Sequence, residues 1–147
     1  MSGIYGVFRR DGAPLPSESL GAMQQAMAYW GPDGNKLWQS ELLGLGYLAL
    51  HSTPESLYDS QPLNNQDNSL ILIASARLDN RDDLCASLNI STALMANIPD
   101  SALILKAYEK WGRACLQWLL GDWAFALWDV HRQELFIARD HNGISGL

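Results

Sequence analysis

Ser2 is the residue whose type and position most directly suggest chemistry in this chain. A small residue after the initiator Met1 allows that methionine to be removed, which would leave a hydroxyl and a free α-amine on one residue. The amine could then take the proton of the attacking hydroxyl, so nucleophile and base would be preassembled. The alternative is a serine that merely starts a strand, because Met-Ser is a common beginning of soluble chains. The segments that follow favour the chemical interpretation.

The composition fits one acidic domain. The 147 residues are enough to bury roughly two thirds of the unfolded surface. The net charge of −6 and the pI of 4.8 disfavour nucleic acid and anionic membranes as partners, since the basic residues are scattered. The apolar stretches at 42–50 and 116–128 are far shorter than the roughly 20 residues of a membrane span. Because the N-terminus lacks the pattern of a signal peptide, we expect a cytoplasmic protein.

Helices are predicted at three places by the spacing of apolar residues. The first, at 17–28, should turn four apolar side chains toward the core: Leu20, Met23, Met27 and Trp30. The second should begin at Asn80, whose side chain can cap the first turn. The third should run from Asp100 to a stop at Gly112.

The strand pattern predicts antiparallel sheets. Residues 70–74 form a continuous apolar run, which is typical of a strand covered on both faces. Large and small residues alternate at 123–128, and the polar stretch 129–133 offers a turn into 134–138, so these segments should form a hairpin. Because regular helices do not separate the strands, we predict an α+β fold with helices outside the sheets rather than a parallel Rossmann-like sheet.

The cysteines and histidines do not indicate a metal site. Cys85 and Cys115 fall on predicted helices among apolar neighbours and lack CxxC spacing, so we expect reduced, structural thiols. His51, His131 and His141 are far apart in the chain and lie at predicted strand ends or loops.

An ordered series of motifs spans the chain. Its members are Ser2–Phe8, Tyr29–Gly34, Gln61–Leu63, Leu78–Asn80, Leu120–Asp129, Leu135–Asp140 and Gly143–Ile144. The series resembles class II glutamine amidotransferases of the asparagine synthetase family, which begin with a nucleophilic Cys followed by Gly-Ile and carry a Gly-Pro-Asp turn and a Gln-Pro-Leu segment. In this chain the position of that Cys is held by Ser2.

The resemblance implies a fold and a domain boundary. It implies the α-β-β-α sandwich of N-terminal nucleophile hydrolases, with residues 1–147 forming one glutamine amidotransferase type 2 domain. In the family, further strands and an ATP-binding synthetase domain follow the position of Ile144. We therefore expect a C-terminally truncated domain that lacks its last strands, needs no cofactor itself and leaves ATP and Mg²⁺ to a separate synthetase domain. A free sheet edge would favour association with a ligase domain or with a second copy.

The resemblance also places the glutamine site, and there this chain departs from the family. The oxyanion donors, an Asn side chain and the next Gly amide, align with Ser75 and Ala76. The Arg that binds the substrate carboxylate aligns with Leu48, and the Glu that binds the ammonium aligns with Arg77, which reverses the charge. An Asp remains at Asp100, although a helix N-cap would also explain Asp there.

The retained scaffold and altered site predict a catalytically degenerate domain. We expect this chain alone to be neither a competent glutaminase nor a ligase, and to act as a scaffold or docking module for an asparagine-synthetase-like ligase. The alternative is an active N-terminal Ser amidohydrolase or glutaminase that supplies ammonia to such a ligase. In a further alternative, Ser75 and Arg77 build a different small-molecule site.

Two segments carry a narrower resemblance. His51–Ser56 and Ala76–Asp82 are similar to the asparagine-synthetase homologues that close macrolactam rings on lasso peptides, in which the N-terminal Cys is typically missing. This resemblance implies a peptide substrate rather than glutamine, and it would account for the loss of glutaminase residues.

Overall fold

The computed structural model describes residues 2–144, in which two antiparallel sheets pack face to face. The first sheet has the order β1-β3-β2, with β1 at Gly3–Phe8, β2 at Gly34–Gln39 and β3 at Leu43–Ala49. The second has the order β4-β5-β6-β7, with β4 at Leu63–Asn64, β5 at Leu70–Leu78, β6 at Gly121–Asp129 and β7 at Glu134–Arg139. The predicted antiparallel arrangement is confirmed.

The helices lie outside the sheets. They are α1 at Ser19–Ala26, α2 at Arg81–Ser87, α3 at Thr92–Met95 and α4 at Asp100–Trp111, with 3-10 turns at Ala28–Trp30, Pro54–Tyr58 and Gly112–Trp118. Helix α1 covers the outer face of the first sheet through Leu20, while α2 and α4 cover the second sheet. The chain therefore has the α-β-β-α layers that the resemblance implies.

The core between the sheets explains the apolar runs. Alternate residues of β3 and β5 meet there together with two residues of β6: Leu43, Leu45, Tyr47, Ala49, Ile71, Ile73, Ala126 and Trp128. The other face of β5 packs under α2 and α4, so the strand is covered on both sides as predicted. The hairpin of β6 and β7 is also confirmed, with Asp129 opposite Glu134 at its turn.

Glycines on the outer face of β3 allow the first sheet to pack closely. A Cβ at Gly46 would overlap the ring of Tyr5 on β1, and a Cβ at Gly44 would overlap the side chain of Leu20 on α1. The side chains of Tyr5, Leu20 and Leu48 consequently form a small cluster beneath α1. This packing fixes β1, which carries Ser2 at its start.

The predicted helices are present, with two corrections. The last begins at Asp100 and ends at Gly112, whose φ of +57° suits glycine. The second follows Asn80, but the Asn80 side chain bonds to Trp118 O and Leu120 N–H instead of capping the helix. The first helix stops at Ala26, and the following 3-10 turn leaves Trp30 53% exposed instead of in the core.

Both cysteines are buried free thiols, as predicted. Burial raises the pKa of Cys115 to about 11 and also raises the pKa of Cys85, so both stay protonated and poorly reactive near neutral pH. Within residues 2–144, no helix has the length and apolar character needed to cross a membrane.

Candidate functional site

Ser2 lies at the junction of β1 and β3. The antiparallel pairing of these strands places Gly3 opposite Leu48, which brings Ser2 beside the C-terminal end of β3. Its Oγ accepts a hydrogen bond from the Leu50 N–H at 3.1 Å and lies 2.9 Å from the hydroxyl of Tyr47. The candidate nucleophile is therefore held by two neighbours.

The Gly-Pro-Asp turn supports this junction. The Asp33 N–H donates to Ala49 O at 3.1 Å, and the Asp33 carboxylate accepts the N–H of His51 at 2.7 Å. A Cβ at Gly31 would overlap the backbone of Leu48, so the close approach requires glycine. The turn thus fixes the segment 49–51, whose central amide binds Ser2.

Asp59 lies at the centre of a hydrogen-bond network behind Tyr47. Its Oδ1 accepts the hydroxyl of Ser101 at 2.6 Å, and its Oδ2 accepts Gln61 Nε2 at 2.8 Å. The Tyr47 hydroxyl donates to the same Oδ2 over a longer 3.4 Å. One carboxylate therefore joins β3, the loop before β4 and the start of α4.

Gln61 connects this hydrogen-bond network to β5. Its side-chain carbonyl accepts the N–H of Ala74 at 2.5 Å, and its Nε2 donates to Ala74 O at 2.9 Å as well as to Asp59. Only 2% of Gln61 is exposed. The buried amide satisfies both backbone groups of Ala74, as buried polar groups require. The Gln-Pro-Leu motif thus has a structural role beside the site.

The amide of Ala76 is directed toward the same place. The N–H of Ala74 bonds to Gln61 and the N–H of Leu78 bonds to Asp100, so both point away from β6. In an antiparallel pair, every second residue has its backbone groups on the same side. The N–H of Ala76 therefore also points away from β6, and Ala76 lines the cavity beside Ser2. The role of this amide as an oxyanion donor stays a prediction.

These groups enclose a small polar cavity, called here the Ser2 chamber. Its volume is about 60 Å³, and it is lined by Ser2, Tyr47, Leu50, Ser52, Thr53, Ser56, Asp59, Gln61, Ala74, Ala76, Arg77 and Ser101. Burial raises the pKa of Tyr47 to about 12, so the phenol remains protonated at neutral pH. The chamber offers hydroxyls, one backbone amide and one carboxylate.

Arg77 lies at the chamber and is partly exposed. Its guanidinium pairs with Asp79 at 3.4 Å and with Asp122 at 3.2 Å, and 56% of its side chain is exposed. The charge of Arg77 is therefore balanced by two neighbouring carboxylates outside the chamber.

Two predicted site residues are not brought to Ser2. Leu48 is 1% exposed and packs beneath α1, on the opposite face of β3 from Tyr47, so its side chain does not line the Ser2 chamber; its alignment with the carboxylate-binding position stays a prediction. Adjacent residues of a strand point to opposite faces, which is why the two differ. Asp100 is the first residue of α4 rather than its N-cap, and its carboxylate binds the Leu78 N–H and Arg81.

Ser75 lines a second, larger cavity. This apolar groove of about 700 Å³ runs along the free edge of β1 and contains Ser2, Ile73, Ser75, Met23, Met27 and Ile137 among its lining residues. Ser75 and Ala76, which were expected to lie together as oxyanion donors, thus line two different cavities. Both cavities contain Ser2 in their lining.

Four residues of the site were not singled out from the sequence. They are Tyr47, Asp59, Gln61 as a hydrogen-bonding residue, and Ser101. Gln61 belongs to a recognised motif, which was an available signal. Asp59 and Ser101 are 42 residues apart in the chain, and no spacing indicated that they meet.

With this geometry established, comparison with known proteins gives the family. The family model described as a glutamine amidotransferase domain matches residues 1–147. The chain belongs to the glutamine amidotransferase domain family. The two sheets between helices are consistent with the sandwich of N-terminal nucleophile hydrolases.

This glutamine amidotransferase domain is similar to parts of much longer proteins. It is 30% identical over 146 residues to the glutamine-hydrolyzing asparagine synthetase B of Escherichia coli, covering 98% of this chain and 26% of that protein. It is 27% identical over 151 residues to asparagine synthetase 2 of Bacillus subtilis, covering 100% of this chain and 20% of that protein. Amidase chyE of Penicillium rubens is 31% identical over 121 residues, covering 80% of this chain and 17% of that protein. The chain spans between 17% and 26% of these relatives.

Proposed function

We propose that this glutamine amidotransferase domain does not hydrolyse glutamine and acts as a docking module for an asparagine-synthetase-like ligase. The main support for the absence of glutamine hydrolysis is the small volume of the Ser2 chamber. Its volume of about 60 Å³ corresponds to roughly two water molecules, whereas small-molecule pockets measure roughly 300–1,000 Å³. Glutamine, with a side-chain amide and two charged groups, does not fit inside the Ser2 chamber.

The charges around the chamber also disfavour glutamine. Its α-carboxylate needs a paired guanidinium, yet Arg77 is already engaged by Asp79 and Asp122. Its α-ammonium needs a free carboxylate, yet Asp59 accepts hydrogen bonds from Ser101, Gln61 and Tyr47. Among the described residues that line the chamber, neither the α-carboxylate nor the α-ammonium of an amino acid has an unengaged charged partner.

The neighbours of Ser2 do not activate it as a nucleophile. A hydroxyl nucleophile needs a base close to the operating pH, and the Tyr47 phenol, with a pKa of about 12, does not act as one near neutrality. Replacement of the family's Cys by Ser2 further lowers the intrinsic nucleophilicity.

A ligase partner accounts for a retained scaffold. The asparagine synthetases of Escherichia coli and Bacillus subtilis contain a domain like this one within a longer chain. We propose that the ligase, in the same or a separate polypeptide, binds ATP and Mg²⁺. The ligase would make asparagine or, as the lasso-peptide resemblance of His51–Ser56 implies, close a peptide macrolactam.

A glutaminase assay tests the catalytic half of the proposal. We expect the purified chain to release glutamate from glutamine no faster than its Ser2→Ala variant. Glutamate release that Ser2→Ala abolishes would contradict the proposal. The docking half is tested by titrating the chain with the asparagine-synthetase-like ligase that is encoded with it. The wild type and the Ser2→Ala variant should bind that ligase with equal affinity.

A second candidate is an N-terminal Ser amidohydrolase acting on another amide. The presence of Ala76 in the chamber lining supports it, because a backbone amide there would serve as the oxyanion donor that amide hydrolysis needs. Relatives named as amidases, such as amidase chyE of Penicillium rubens, also support it. Met1 lies outside the described residues, and the α-amine of Ser2 acts as base only after its removal. Intact-mass measurement of the native protein decides this, since complete retention of Met1 excludes the mechanism.

A further inference from the structure

We propose that Tyr47, held by Asp59, is the residue that closes the Ser2 chamber to amide substrates. This inference rests on the proposed function and identifies what blocks access to Ser2. It assigns to Tyr47 a specificity-determining role that is separate from the identity of the nucleophile.

The directions of the hydrogen bonds define the closed state. A carboxylate only accepts, and a phenol has one proton, so Tyr47 donates to Asp59 and accepts from Ser2. The Leu50 carbonyl lies 3.4 Å from Ser2 Oγ, the same length as the Tyr47–Asp59 bond, whereas the two hydroxyl oxygens of Ser2 and Tyr47 are 2.9 Å apart. With the Leu50 N–H donating to Ser2 Oγ, both the proton and a lone pair of the hydroxyl are engaged.

The closed position of Tyr47 is anchored from both ends. Its ring lies in the core between the sheets, where the residue is 4% exposed. Its hydroxyl meets Asp59, which Ser101 and Gln61 fix through bonds of 2.6 and 2.8 Å. Moving Tyr47 aside therefore requires repacking the core or breaking a network that includes β5.

The hydrogen bonds of Ser2 lie on the chamber side of the residue. Ser2 also lines the groove, but both groups that bind its Oγ, Tyr47 and Leu50, line the chamber instead. The Ser2 hydroxyl is therefore directed toward the chamber, where the Tyr47 hydroxyl lies against it.

A thiol probe tests access without relying on catalysis. In a Ser2→Cys variant, the introduced thiol can be alkylated by iodoacetamide and measured by peptide mapping. The native Cys85 and Cys115 are both 0% exposed and serve as internal references. Adding Tyr47→Leu should raise the alkylation rate of the introduced thiol about tenfold, because labelling follows thiol exposure.

A matched control separates opening from general loosening. Tyr108 is also a buried tyrosine, but it packs against Phe136 under the second sheet and does not line the chamber. Tyr108→Leu in the Ser2→Cys background should change the rate less than about twofold. Equal rates for the Tyr47→Leu and Tyr108→Leu variants would overturn the proposal.

A conservative variant keeps the test decisive if Tyr47→Leu does not fold. Tyr47→Phe retains the ring in the core and removes the hydroxyl that binds Ser2 and Asp59, so labelling should rise about threefold. The proposal would be refuted if the alkylation rate of the introduced thiol were unchanged in a folded Tyr47→Phe variant, and Tyr47→Leu either did not fold or also left the rate unchanged. Glutaminase activity of the wild type would instead contradict the proposed function, whatever the labelling rates.

Discussion

Tyr47 and Ser2 are 45 residues apart in the chain, yet their hydroxyl oxygens lie 2.9 Å from each other. The register of β1 against β3 produces this contact, since it sets Ile4 opposite Tyr47 and Gly3 opposite Leu48. A shift of that register by one residue would turn Tyr47 to the outer face of the sheet. The state of the candidate nucleophile therefore depends on strand pairing as much as on its own residue type.

Gln61 should be among the most important side chains for stability. Gln61→Ala leaves both backbone groups of Ala74 and part of Asp59 without their partners in a buried position. We expect a loss of about 3 kcal/mol in the free energy of unfolding, because each unsatisfied buried polar group costs roughly 1–3 kcal/mol. Urea unfolding followed by tryptophan fluorescence measures it.

The matched control for this prediction is Gln66→Ala. Gln66 is an exposed residue of the turn between β4 and β5, so its replacement should change the unfolding free energy by less than about 0.5 kcal/mol. Equal effects of the two substitutions would show that the Gln61 bonds contribute little.

The general architecture could be predicted from sequence periodicity. The buried run at β5, the hairpin of β6 and β7, and α4 all follow from local patterns, and each is present. The end of the first helix could not be predicted, because the amphipathic pattern continues to Trp30 while the backbone changes to a 3-10 turn. Periodicity records which residues are apolar but not where the helix stops.

The site was predictable only in part, for a physical reason. Ser2 and Ala76 were indicated by motifs and do line one chamber. Leu48 lies on the outer face of β3 and Tyr47 on the inner face, because a single position along a strand determines which face a side chain occupies. Asp59 and Ser101 meet through tertiary packing, which leaves no local pattern.

The contact of Ser101 with Asp59 should show energetic coupling. A hydroxyl that donates to a carboxylate contributes more than a neutral hydrogen bond, so we expect a coupling energy of about 1.5 kcal/mol between Ser101→Ala and Asp59→Ala. A double-mutant cycle of unfolding free energies gives this value. Ser101→Ala combined with Asp67→Ala, which alters an exposed carboxylate elsewhere, should be additive. Additivity for Asp59 as well would contradict the network.

Alkaline pH should reveal the environment of Tyr47. Burial, reinforced by the charge of Asp59, raises its pKa from 10.0 to about 12 in the folded chain. The unfolded chain ionises near 10, so the stability contributed by the neutral phenol is fully present below pH 10 and is lost as the pH rises to about 12. A shift of this size corresponds to a loss on the order of 3 kcal/mol. Tyr47→Phe cannot ionise and should lack this loss, whereas Tyr29→Phe, at a 90% exposed position, should retain it. Unfolding free energies measured from pH 8 to 12 test this, and parallel profiles for wild type and Tyr47→Phe would show that Tyr47 is not held as a buried, neutral phenol.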